Sequence, residues 1–468
     1  MAKKSKKFYI DTLGCAKNEY DSQVLAAELL GRGCENTLDP EEADILIVNT
    51  CGFIDDAKRE SIEHIFNMAA FKGEDKKLVV TGCLSQRYHA ELSKEIPEVD
   101  IFTGVNDYDD LPSILLGEES AAPDKNVCPG ECPASSDRSA VKASSDMVKG
   151  REEKVLPYRE RVFPQNEYSS VLKIAEGCNN ACTFCAIPMI RGPYRSKRIE
   201  DAVREAEDMA AAGIKEVTII AQDTSYYGKD IYGEAKLPEL LRELCRIDGI
   251  KWIRLMYVYD DGITDEFIDT IASEEKICNY IDIPIQHISD GVLSAMHRNS
   301  TSESIRATVK KLRSRIKDIH IRTTLLVGFP GETEEDFEEL LDFIEEAKFE
   351  RLGAFAFSEE EGTPAYELGG KVPEEIKEAR RNAVMEKQVA ISEEVNAAKV
   401  GGVFEVIVDE CTGEGLYVGR TEYDSPEIDD EVSFTALAPH EPGDFVKVMI
   451  EEAYEYDLVG KEVLDESA

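Results

Sequence analysis

Short apolar runs followed by helical periodicity recur along most of this chain, and a cysteine stands at the end of several of them. In the first hundred residues the run 8–10 precedes Cys15 and a helical pattern over 19–30, the run 45–48 precedes Cys51, and the run 78–80 precedes Cys83. A strand-then-helix rhythm predicts an α/β fold, here a small doubly wound parallel sheet. Open α/β sheets bind their ligands just past the carboxyl ends of the strands. The three cysteines, far apart in sequence, are therefore expected to converge at one sheet edge. Their settings, TLGC, NTC and TGC, supply small or turn-forming neighbours that let the backbone approach a bulky inorganic group. Ordinary buried thiols are the alternative, since free Cys is commonly buried.

The same rhythm returns after residue 168, with six strand candidates at 171–175, 216–221, 252–258, 280–285, 320–327 and 352–357, separated by helical segments that include 199–212 and 334–347. Six such units predict a central partial (β/α)6 barrel with its chemistry at the carboxyl ends of the strands. Cys178, Cys182 and Cys185, in EGCNNACTFC, follow the first strand; Gln222, Asp223 and Ser225 follow the second; Gln286 and His287 follow the fourth. A cubane iron–sulfur cluster takes four thiolates, so C-x3-C-x2-C leaves one iron open to a small molecule. Zinc would want a fourth ligand at comparable spacing, and the next Cys or His is Cys245. VGFPGET, with Gly328, Pro330 and Gly331, lacks the lysine and glycine spacing of a phosphate loop and reads as a strand-to-helix turn. His287 and His297 read as structural rather than as catalytic bases.

The 468 residues imply two or three domains. The sequence boundaries are an N-terminal cysteine-bearing domain at 1–117, a linker or insertion at 118–165, the partial barrel at 166–398, and a last domain at 399–468. In that last domain the alternating stretches 403–408, 416–419, 430–434 and 445–450 predict a C-terminal small antiparallel β-barrel of about five strands, OB-like in character. Cys128 and Cys132, in CPGEC, lie in the linker and read as an incidental pair or a weak redox pair rather than a third cluster. No spanning or signal segment is predicted, and thiolate ligands suit a reducing cytoplasm. Fifty-four Lys and Arg against 95 Asp and Glu give a net charge of −41, which repels a phosphate backbone and attracts basic partners. Residues 399–462 alone carry 4 Lys/Arg against 17 Asp/Glu, the opposite of what an RNA-binding barrel would show.

With these parts in order the chain resembles the radical S-adenosylmethionine methylthiotransferases, which join an N-terminal cluster domain, a radical-SAM barrel and a TRAM domain. The runs TIIAQDTSYYG (218–228), DIPIQHISDGVLSAMHRNS (282–300), TTLLVGFPGET (323–333), FSEEEGTPAY (357–366) and GRTEYDSPEIDD (419–430) are similar to the RimO-type branch, which modifies an aspartate of small-subunit ribosomal protein S twelve.

The resemblance implies two 4Fe-4S clusters and S-adenosyl-L-methionine as cofactors. Cys178, Cys182 and Cys185 would hold the cluster that binds and reduces S-adenosylmethionine, and Cys15, Cys51 and Cys83 an auxiliary cluster that handles the sulfur. Phe184 would support the adenine, and Gln222, Asp223 and Ser225 would touch the cofactor; no catalytic side chain is implied beyond the cluster ligands. The implied partners are the basic ribosomal protein, an electron donor and a sulfur donor, with RNA met only through the ribosome and no membrane. Asp424, Glu427, Asp429 and Asp430, in the last run, are expected to face the basic substrate. Two readings stay open beside this one: a tRNA adenosine methylthiotransferase of MiaB type, and a non-catalytic two-cluster electron carrier.

Overall fold

The computed structural model describes residues 5–108, 110–117 and 155–464. Cys128 and Cys132 lie outside them. The chain divides into two compact units, Met1–Phe163 with Ala175–Asn180 and Cys185–Arg198, and Pro164–Ile174 with Ala181–Phe184 and Ile199–Ala468.

The first unit is built on a five-stranded, wholly parallel sheet in the order Glu35–Asn36, Lys7–Thr12, Ile45–Thr50, Lys77–Gly82, Ile101–Phe102. Successive side chains of a strand face opposite ways, and Ile45–Thr50 is buried throughout. Ile45 and Ile47 enter a core with Leu25, Leu29, Leu111 and Leu115, from the helices Ala16–Gly31 and Leu111–Leu116. Leu46 and Val48 enter another with Ile65, Met68, Leu84 and Leu92, from Asp55–Ala69 and Cys83–Glu95. Helices on both faces make the sheet doubly wound, as the rhythm predicts. The two edge strands are two residues long, and the polar Glu35–Asn36 gave no apolar signal.

The second unit contains a six-stranded parallel sheet in simple sequential order, Ser169–Lys173, Glu216–Ile220, Trp252–Leu255, Ile277–Gln286, His320–Val327, Arg351–Ala356. This is the partial barrel. The third strand stops three residues short of the predicted 258, and Tyr257 just beyond it has φ 59°. VGFPGET forms the turn predicted for it: Glu332 accepts from the backbone of Gly328 and Phe329 at 2.6 and 3.1 Å, and a Thr333–Asp336 capping box starts the helix Glu334–Ala347. The long helix Glu374–Ala397 then leads into a closed five-stranded barrel, Val403–Gly413, Leu416–Thr421, Glu431–Thr435, Asp457–Glu462, Phe445–Ala453. Its core is Val406, Val408, Tyr417, Phe434, Val448 and Leu458 with their neighbours. The prediction of an antiparallel barrel is corrected at one place. Glu431–Thr435 pairs with Asp457–Glu462 in parallel, which closes the barrel.

The small barrel is joined to the six-stranded sheet by a seam of buried ion pairs within this unit. Glu216 is fully buried between Arg254 and Arg420, each at 2.9 Å, and Arg420 also meets Asp409 at 2.9 Å. Arg351 reaches Asp424 at 2.6 Å and Asp430 at 2.9 Å; Arg322 reaches Asp282 at 2.9 Å and Asp429 at 3.4 Å. The Tyr280 hydroxyl donates to Asp429 at 2.7 Å, and His320 stacks on Tyr423 with ring centres 4.1 Å apart. The expectation that Asp424, Asp429 and Asp430 face a substrate is therefore overturned, because their carboxylates neutralise arginines inside the seam. Glu427 alone of the four is exposed.

Candidate functional site: two sets of cysteines

Cys15 follows the strand Lys7–Thr12 and caps the helix Ala16–Gly31, Cys51 follows Ile45–Thr50 directly, and Cys83 opens the helix Cys83–Glu95 after Lys77–Gly82. Parallel neighbours in register place these three strand ends side by side. The loop before Cys15 lies on Cys51 so closely that Gly14 (φ +90°) has no room for a side chain: a Cβ there would stand 2.7 Å from Cys51 Cβ and 3.0 Å from its Sγ. Asn18 ties the first two loops together, its amide donating to the carbonyls of Leu13 at 2.8 Å and Thr50 at 3.1 Å. Ser61 brackets the Cys51 backbone, accepting from its N–H at 3.0 Å and donating to its carbonyl at 2.9 Å.

Burial pushes the Cys51 thiol up, and so does the neighbouring Cys15. Burial likewise pushes the Cys83 thiol up, to about 11, with Arg191 pulling it down and Cys15 and Cys51 adding to the rise. Two buried thiols that resist ionisation, Cys51 and Cys83, need a cation to hold them as thiolates. An iron–sulfur cluster supplies one, and the all-sulfur donor set and the glycine-lined approach fit it. Among the described residues no three His, Cys, Asp or Glu side chains close around a single bare ion.

The second set lies in one loop divided between the units. In the first unit Cys178 is buried, its N–H donates to the Gly192 carbonyl at 3.1 Å, and its Sγ accepts from Asn180 N at 3.4 Å. Gly177 (φ +82°) precedes it, where a Cβ would lie 2.2 Å from the Pro193 carbonyl oxygen. Cys185 is half-buried in the same unit. In the second unit Cys182 is buried, with an Arg298 guanidinium nitrogen 3.9 Å from its Sγ. Thr183 beside it is pinned through its N–H to the Met296 carbonyl at 3.1 Å and through its hydroxyl to the Ala295 carbonyl at 2.9 Å. N–H groups directed at both sulfurs suit thiolate ligands.

The other predicted residues are all in the second unit. Phe184 packs against Val292, Met296, Phe329 and Phe357. Gln222 is half-buried just past the second strand. Asp223 and Ser225 are buried and bonded to each other at 2.6 Å, and Asp223 also accepts from Tyr226 N at 3.1 Å, capping the turn Thr224–Tyr226. His287 is fully buried and burial pushes its pKa down to about 4, which suits a structural residue. Sequence reasoning missed Asn18, Arg191 and Arg298, whose sulfur-facing positions depend on long-range contacts; the placement of Arg191 just after the cysteine triplet was the one local signal.

Comparison with known proteins gives three domain matches along the chain. Residues 7–104 match the Uncharacterized protein family UPF0004, residues 172–344 the Radical SAM superfamily, and residues 400–463 the TRAM domain. Among solved structures, the radical S-adenosylmethionine methyltransferase TsrM from Kitasatospora setae, with cobalamin and a 4Fe-4S cluster bound, shares the fold at TM-score 0.56 and 17% identity, over 77% of each chain. The ribosomal protein uS12 methylthiotransferase RimO of Acetivibrio thermocellus is 45% identical over 99% of each chain, and that of Clostridium tetani is 46% identical over 98% of this chain and 99% of its own. The RimO of Clostridioides difficile is 45% identical over 97% and 98%. With three domain matches in order and such identity along its whole length, the chain belongs to the RimO family of radical S-adenosylmethionine methylthiotransferases.

Proposed function

We propose that this protein is a radical S-adenosylmethionine methylthiotransferase that adds a methylthio group to the β-carbon of an aspartate in ribosomal protein uS12. The observation that carries the reading is full-length identity of about 45% to proteins of that name, together with two separate sets of three cysteines. It takes two 4Fe-4S clusters and S-adenosylmethionine as cofactors, with Cys178, Cys182 and Cys185 as ligands of one cluster and Cys15, Cys51 and Cys83 of the other. Cluster and cofactor together supply one-electron cleavage of a sulfonium and the carbon radical needed at a β-carbon with no acidic hydrogen.

The chain's own residues hold and orient. Asn180 N–H and Arg298 address Cys178 and Cys182, and Thr183 anchors the chain just after Cys182. Phe184 offers an aromatic face for the adenine, and Gln222, Asp223 and Ser225 lie at the second strand's end as candidate cofactor contacts beside their bonds within the turn. Exposed acids of the small barrel, Glu410, Glu414, Glu431 and Asp457, give a field that attracts a Lys/Arg-rich surface. An external electron donor and a sulfur donor complete the reaction, in the cytoplasm. Among the described residues no helix is long and apolar enough to cross a membrane.

Anaerobic reconstitution followed by strong reduction with S-adenosylmethionine tests the enzyme reading. Release of 5′-deoxyadenosine and a one-methylthio gain on the uS12 aspartate are expected; intact cofactor under strong reduction would favour the electron carrier.

A further inference from the structure

Arg191 ends the helix Ile187–Arg191, six residues after Cys185, and is 2% exposed. One guanidinium nitrogen donates to Asp21 at 2.7 Å and to both oxygens of Glu176 at 3.3 Å. The other donates to Asn18 Oδ1 at 2.6 Å and to Cys83 Sγ at 3.4 Å. Every one of these residues belongs to the first unit. Cys83 is a cysteine of the first set, Asn18 and Asp21 lie in the helix that begins after Cys15, and Glu176 lies two residues before Cys178. Cys83 also packs directly on Ala186 and Ile190 of the segment that carries Arg191. Two carboxylates would satisfy the charge of a purely structural arginine. Here the second nitrogen is shared between Asn18 and the Cys83 sulfur.

We infer that Arg191 is a positioning residue for the auxiliary cluster: its guanidinium donates a charge-assisted hydrogen bond to the Cys83 ligand sulfur, raising the reduction potential of that cluster, and ties Cys83 to the segment that carries Cys185. Charge and N–H donors at ligand sulfur stabilise the reduced, more negative state of a cluster, and such outer groups tune potential while leaving the ligand set intact. The inference rests on the assignment of Cys15, Cys51 and Cys83 as cluster ligands.

The test is an EPR-monitored redox titration of the holoenzyme and its R191Q and R191K variants. The auxiliary signal is identified as the one missing when Cys15, Cys51 and Cys83 are all replaced by Ala. Expected are iron content equal to wild type, an auxiliary midpoint moved to more negative potential in R191Q and by less in R191K, and an unmoved midpoint for the other cluster. R191K keeps a buried cation for Asp21 and Glu176, so it decides the matter alone if R191Q does not fold. Wild-type auxiliary potential in the folded variants, with only a lowered melting temperature, makes Arg191 a structural ion pair and overturns the inference. Survival of both signals in the triple-Ala variant overturns the cluster assignment and this inference together.

Discussion

Arg351, on the last strand of the six-stranded sheet, donates to Asp424, in the loop after the second strand of the small barrel, at 2.6 Å with both side chains buried. Removing one partner of a buried pair leaves the other charge uncompensated, which costs about 3–5 kcal/mol. D424A should therefore lower the denaturation midpoint of the second unit sharply. Its loss of substrate modification should follow its loss of fold, so cofactor cleavage declines in parallel rather than being spared.

Glu216 gives the seam a pH dependence. Burial alone would raise its carboxyl, but Arg420 and Arg254 overrule burial and hold it down at about 2. A depressed carboxylate contributes stability that is present above its unfolded value, near 4.5, and is lost as pH falls through its folded one. Urea denaturation of the apoprotein should show E216Q well below wild type at pH 7, with the gap shrinking steadily between about pH 4.5 and 2. A gap that is constant over that range would mean Glu216 is not ionised in the fold.

Gly14 is the narrow point of the first cysteine set. In G14A the new methyl would overlap Cys51 at a positive φ, which a side chain adopts only with strain of roughly 1 kcal/mol or more. Iron bound by the reconstituted protein should drop to about half, the loss falling on the auxiliary cluster. Cofactor cleavage without substrate should persist, because Cys178, Cys182 and Cys185 are untouched. Full iron content in G14A would show that the close approach of Gly14 to Cys51 does not shape the cluster site.

The rhythm of apolar runs was enough to place the three central strands of the first sheet and the six of the second, with the cysteines at their ends, because buried parallel strands read as continuous hydrophobic stretches. What stayed hidden was pairing at long range. Asp424 meets an arginine 73 residues away and Arg420 a glutamate 204 away, and an acid in a loop is normally exposed. The four acids of GRTEYDSPEIDD were thus read as a docking face when three of them hold the seam. Arg191 was hidden for the same reason, since Asp21 lies 170 residues from it. The parallel closure of the small barrel has no local signature either, because strand direction is set by the order in which strands meet.

With the seam acids excluded, the proposed attraction of a basic substrate rests on acids that remain in solvent. Charge reversal at Glu410, Glu414, Glu431 and Asp457 should slow modification of uS12 and flatten its salt dependence while leaving the melting temperature within a degree or two of wild type. An unchanged rate at low salt would remove the small barrel's charge from substrate recognition.

Substrate choice is decided by offering the reconstituted, reduced enzyme small ribosomal subunits or isolated uS12 in one reaction and hypomodified tRNA in another, each analysed by mass spectrometry. One methylthio group on the uS12 aspartate and unmodified tRNA are expected. Methylthiolated adenosine in the tRNA, with uS12 untouched, would contradict the assignment of uS12 as substrate.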